Sequence, residues 1–86
     1  YSKRQEKLPA LHKGGNMLRT PVSSSDLRSV GYDPQTQTLE IEFNSGGVYQ
    51  YLHVPAVVFQ GLMNAGSHGK YFHQNIKNSY SYRRVG

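Results

Sequence analysis

Not one cysteine occurs among the 86 residues, which excludes disulfides, a thiolate nucleophile and zinc–thiolate sites. Long apolar runs are missing as well. The longest, around Val54 to Phe59, is broken by Pro55 and falls far short of the roughly 18 residues that argue for a membrane span. No basic start followed by an apolar stretch and a small-residue cleavage site marks a secretory signal. Purely apolar side chains are few, because hydrophobic residues make up 36% of the chain and seven of them are tyrosines. That supplies one modest core in one small domain and leaves little for a deep catalytic cleft. No internal repeat is evident. The expectation is a cytoplasmic, monomeric protein with no membrane segment.

Acidic residues are scarce at both ends. Residues 1–19 hold Lys3, Arg4, Lys7, Lys13 and Arg19 against Glu6 alone, and residues 67–86 hold Lys70, Lys77, Arg83 and Arg84 with no acid. The middle is mildly acidic, with Arg28 against Asp26, Asp33, Glu40 and Glu42. Clustered positive charge of this kind suits a surface that meets a polyanion, although a solvated face with a basic tail gives the same composition.

The first residues read as a leader. Pro9 and Gly14-Gly15 break any helix, and Leu8 and Leu11 are too few to offset the backbone entropy of ordering, roughly 1–2 kcal/mol per residue. A start at Tyr1 suggests either a piece of something longer or added sequence ahead of Met17. The division expected is a flexible basic leader over 1–21, partly linker or sequence added for expression, and one folded domain over 22–86.

Within the domain, Leu27 to Tyr32 is a strand candidate ended by Asp33-Pro34, since proline fixes a turn and cannot donate to a ladder. Thr38 to Phe43 alternates cleanly, with Leu39, Ile41 and Phe43 on one face and Glu40 and Glu42 on the other, the period of a half-buried strand. Asn44 to Gly47 reads as a hairpin turn. Val48 to Val54 forms the third strand, with Tyr49, Tyr51 and His53 sharing a face. Val54-Pro55 then opens a helix over about 55–65, because proline suits a first helical turn. Ser67 caps a second helix, on which Phe72 and Ile76 stack at i and i+4. Tyr80 to Val85 is a final strand or an ordered tail. The fold class is α+β: a three-stranded antiparallel meander, two short helices and a short C-terminal strand.

Tyr49 and Tyr51 place two rings on one strand face, with Tyr32 a candidate cross-strand neighbour. Such rings stack nucleobases, at roughly 1–3 kcal/mol per base, or else cover a core with their hydroxyls at the rim. Lys70, Tyr71, His73 and Lys77 interleave cations and aromatics on the second helix. Gly69 leaves backbone N–H groups open at its start, where phosphate can sit. Arg83 and Arg84, folded back beside that helix, would make four cations converge. The histidines His12, His53, His68 and His73 show no zinc spacing and no nearby carboxylate. Ser23-Ser24-Ser25-Asp26 lacks the glycine-flanked elbow of a nucleophile and reads as a strand lead-in or cap. Glu40 and Glu42 stand about 7 Å apart along the strand, as paired carboxylates do in glycosidases, but a solvated face explains them better. No catalytic residue, metal site or cofactor site emerges.

Taken in order, Ser24-Ser25-Asp26-Leu27, Gly31-Tyr32-Asp33, Leu39 to Phe43, Gly46 to Tyr51, Val54-Pro55 and Ser67 to Phe72 followed by Ile76 resemble the KTSC domain. That family is named for the C-terminal appendage of some lysyl-tRNA synthetases and also occurs as stand-alone small bacterial proteins. The likeness spans about residues 22–85 and departs at His73, where the family pattern carries asparagine. It implies no catalytic residue, and it raises the expectation that the basic helix and the tyrosine face meet RNA, tRNA included, by association with the synthetase.

The function expected is therefore a non-catalytic accessory module that binds nucleic acid, RNA before DNA. Its contacts are Lys70, Lys77, Arg83 and Arg84 to phosphates, with Tyr49, Tyr51, Tyr71 and His73 on the aromatic side. The alternative is a protein-interaction module that docks on a host enzyme through a strand edge or the Tyr49/Tyr51 face.

Overall fold

The computed structural model describes residues 18–86. Residues 1–17 of the leader expected over 1–21, with His12 and the Met17 start, lie outside the described residues. Thr20–Pro21 form β1, antiparallel to β2 (Leu27–Asp33) in the register Thr20↔Val30 and Pro21↔Ser29.

Three further strands continue the meander: β3 (Thr38–Phe43), β4 (Val48–Tyr51) and β5 (Tyr82–Arg84). All pairs are antiparallel and the spatial order is β1-β2-β3-β4-β5. The alternation read in β3 is the one observed. Leu39 and Ile41 are fully buried, opposite Tyr51 and Tyr49 of β4 and opposite Tyr32 and Val30 of β2. The β3–β4 hairpin turns through Gly46 and Gly47, both at positive φ (103° and 93°), a region open to glycine at little cost.

The third strand ends three residues earlier than the sequence suggests. His53 takes a left-handed φ of 59°, which breaks the extended run after Tyr51. The chain is held there by Leu52 N–H donating to Ser81 O and Val54 N–H to Gln37 O. Helix α1 spans Ala56–Asn64 after Pro55, whose carbonyl accepts from Val58 and Phe59 N–H. Helix α2 spans His68–Asn75, and Ser67 caps it as expected, its hydroxyl accepting from Lys70 N–H.

Both helices lie on one face of the sheet. Leu62 of α1, with Phe72 of α2 and Ile76 after it, closes the core over Leu27, Val30, Leu39, Ile41, Tyr51 and Val54. Helix α1 covers the β2 side, where Phe59 stacks on Tyr32 with centroids 4.7 Å apart and Tyr32 OH donates to Val54 O. Helix α2 covers the middle, with Phe72 edge-on to Phe43 and Tyr51. The two helices meet where the Tyr71 hydroxyl lies against Gly61, so close that a Cβ there would sit 2.2 Å from it.

The opposite face is not the solvated surface expected of Glu40. That residue is 1% exposed. Its carboxylate accepts from Arg19 Nη1 at 2.5 Å and from Gln50 Nε2 at 2.8 Å. Gln50 Oε1 in turn accepts from Arg83 Nε at 3.0 Å and Nη2 at 2.8 Å. Arg19, Glu40, Gln50 and Arg83 thus form a polar row from edge to edge of the sheet. Gly31 pairs with Glu40 and carries no side chain, which leaves Arg19 a clear path across β2. Ser29 OH donates to Glu42 Oε1 alongside at 3.0 Å.

Candidate nucleic-acid interface

Beyond α2 the helix-side face of β3–β5 is uncovered. A groove of about 320 Å³ opens there, floored by Phe43, Tyr49, Tyr51, Phe72 and Tyr82 and rimmed by His73, Lys77 and Asn78. Antiparallel pairing builds the floor, because Tyr49↔Arg84 and Tyr51↔Tyr82 are directly opposed and share this face. The rings touch in sequence. Tyr82 lies 5.4 Å from Tyr51 and 5.8 Å from Tyr49, and Tyr49 lies 5.6 Å from Phe43.

The expected tyrosines separate by depth. Tyr49 is half-buried, while Tyr51 is 4% exposed and belongs to the core. Burial, then the neighbouring Tyr82 and Tyr49, pushes the Tyr51 hydroxyl up to about 12. Tyr71 is turned to Gly61 of α1, as described above, rather than to this groove. Tyr32 sits two strands from Tyr51 against Phe59, and its hydroxyl is also raised, by burial and then by Asp33. The exposed ring at the groove is instead Tyr82, 57% accessible, which sequence reasoning missed. Its signal was present in Tyr82-Arg83-Arg84 as a strand, since alternation then joins Tyr82 and Arg84 on one face.

The four expected cations do not gather. Arg84 lies on the groove side, its Cζ 5.8 Å from the Tyr49 centroid and its Nε donating to Gly86 O, a cation–π placement. Gly47 makes room for it, since a Cβ there would stand 3.3 Å from Arg84 Nη2. Lys77 stands on the rim. Arg83, one residue from Arg84, points to the opposite face and is engaged by Gln50. Lys70 is exposed two helical turns back from Lys77 and does not line the groove.

His73 has the carboxylate that was not visible in the chain. Asp26, 47 residues away, places Oδ2 at 3.2 Å from His73 Nε2, and both side chains are about half exposed (47% and 49%). The same carboxylate excludes the phosphate seat expected at Gly69. Asp26 Oδ2 would stand 3.1 Å from a Cβ on Gly69, so a negative charge already faces the first turn of α2. His68 Nδ1 lies 2.8 Å from Leu62 O near the end of α1, and Ser24 Oγ accepts from Asp26 and Leu27 N–H as a strand lead-in. Among the described residues no three His, Asp or Glu side chains gather as a metal cluster, and no helix is long and apolar enough to cross a membrane.

Residues 23–80 match the KTSC domain. The span stops short of β5, so Tyr82 and Arg84 lie outside it. The chain is 49% identical over 70 residues to an uncharacterized protein of Stutzerimonas stutzeri, covering 80% of this chain and 99% of that one. A lysine–tRNA ligase of Nostoc is 44% identical over 61 residues, which is 71% of this chain but 11% of the ligase. The crystal structure of a KTSC domain protein from Yersinia pestis superposes with a TM-score of 0.79 at 47% identity, covering 81% of this chain and 99% of that one. A domain that stands alone in one relative and is a small part of a ligase in another is a portable module, and this chain belongs to the KTSC domain family.

Proposed function

We propose that this chain is an accessory module that binds RNA through the groove between α2 and β5, with no reaction of its own. The observation that carries the reading is the convergence, on one open face, of two tyrosines and two cations drawn from β4, β5 and the turn after α2. Tyr49 and Tyr82 offer π-faces, Arg84 lies by Tyr49, and Lys77 stands on the rim. Ring faces with flanking cations are the means by which single-stranded nucleic acid is held without strict sequence choice. The relatives that are lysine–tRNA ligases make tRNA the first RNA to try, in a protein acting as a cytoplasmic monomer.

Geometry sets the salt dependence. Arg83 is engaged on the far face, so phosphate contacts come from Lys77, Arg84 and, along the helix, Lys70. Three contacts on a single strand give a slope of log affinity against log salt near about −2. Fluorescence anisotropy of labelled RNA between low and physiological salt measures it. Replacing Lys77 and Arg84 together by alanine weakens binding and reduces the slope by about 1.4. Flat binding curves at low salt remove the proposal.

A further inference from the structure

We propose that the groove receives one unpaired base of an RNA and therefore selects single-stranded or bulged RNA over a continuous duplex; this rests on the RNA-binding reading above. The volume is the first reason. About 320 Å³ lies at the small end of the roughly 300–1,000 Å³ typical of ligand pockets, enough for one planar group and not for a run of stacked bases.

The rings are the second reason. Tyr82 is the exposed ring, and it is supported from below by the buried Tyr51 at an interplanar angle of 34° and flanked by Tyr49 at 56°. A ring backed in this way keeps its outer face open without turning inward. It also pairs with neither helix, so a base laid on it displaces no core contact. Bases inside an A-form duplex already have both faces stacked, and their major-groove edges are out of reach of side chains. Only an unpaired or extruded base can present a face to Tyr82.

The polar rim is the third reason. Lys77 stands on the α2 side and Arg84 on the β5 side, so phosphates on either side of the seated base meet positive charge. Asn78 and Ser45 bring an amide and a hydroxyl to the same groove, groups that suit the edge of a base.

Three labelled RNAs test this by anisotropy: a single strand, the same sequence as a perfect duplex, and that duplex with one bulged nucleotide. The expected result is at least tenfold tighter binding of the single strand and the bulge than of the duplex. Tyr82→Ala should weaken the single strand by about 5- to 150-fold, the value of one stacked base, and leave duplex binding unchanged. Tyr82→Phe keeps the ring and should restore single-strand binding. Since Tyr82 is more than half exposed and at the sheet edge, a circular-dichroism melt of each variant checks that the fold persists. Equal binding of single strand and duplex, or a Tyr82→Ala protein that binds like the parent with its salt slope intact, overturns the inference while RNA binding as such stands. Absence of binding to all three RNAs overturns both.

Discussion

Truncating Arg19 to alanine tests whether the sheet's far face is a structural device. Glu40 is 1% exposed and its carboxylate meets Arg19 Nη1 at 2.5 Å and Gln50 Nε2 at 2.8 Å. Breaking a buried ion pair by removing one partner costs about 3–5 kcal/mol, because a charge is left without compensation. The Arg19 side chain is 29% exposed, so water partly replaces it and about 2–3 kcal/mol is the sounder expectation. A domain of this size loses about 4–8 °C of Tm per kcal/mol, which puts the fall at roughly 10–20 °C by thermal circular dichroism. Glu40→Gln on top of Arg19→Ala should recover part of the loss, since a neutral amide needs no guanidinium and can still accept from Gln50. The double-mutant cycle should therefore give a coupling of about 1–2 kcal/mol. A Tm change below about 4 °C for Arg19→Ala, or strictly additive single effects, would show that the contact is an ordinary surface pair and refute the reasoning.

Alkaline titration follows from Tyr51. Its folded pKa of about 12 lies above the ordinary 10.0, so the folded state holds a proton the unfolded chain has lost. The stabilisation is complete below pH 10 and lost as pH rises toward 12, by about 2–3 kcal/mol in all. Unfolding at stepped pH measures it, and Tyr51→Phe should flatten the decline. Gly61→Ala should destabilise by about 1–3 kcal/mol despite alanine's better helix propensity, because its methyl meets the Tyr71 hydroxyl. Tyr71→Phe should relieve it only in part, since Cζ would still stand 2.8 Å away; full recovery in denaturant melts contradicts the packing described. Arg83→Ala should cost about 1 kcal/mol by leaving the buried Gln50 acceptor short of its donor, with little effect on RNA affinity beyond that of stability. Arg84→Ala should do the reverse, weakening RNA binding with an almost unchanged melt.

Local pattern carried much of this fold. The alternation from Leu39 to Phe43, the glycine turn, Pro55 ahead of α1 and Ser67 ahead of α2 each rest on interactions within a few residues, so neighbours in the chain suffice to read them. What stayed hidden depends on what lies over a face. Period two assigns Glu40 to the side away from Leu39, and that is where it is, but nothing in the alternation says that Arg19 and Gln50 cover it. Tyr49 and Tyr51 share a face for the same reason, yet Phe72 roofs Tyr51 and leaves Tyr49 at the groove. The His73–Asp26 pair joins residues that only the packing of α2 against the start of β2 brings together.

The two arginines make the limit plain. A basic pair at a C-terminus reads as a single charge cluster, because net charge takes no account of direction. Once Tyr82 to Arg84 pair with β4, consecutive side chains must point to opposite faces, and one cluster divides between the two sides of the sheet. Arg83 ties β5 to Gln50 and through it to Glu40, while Arg84 and Tyr82 are held over the groove. The polar row on the far face thus backs the strand that completes the aromatic groove. Slipping β5 by one residue would exchange the two arginines and remove Tyr82 from the groove. Backbone bonds on both sides of the three-residue strand, Leu52 N–H to Ser81 O and Val85 N–H to Val48 O, hold that register, and the two Arg83 donors on Gln50 Oε1 add to it.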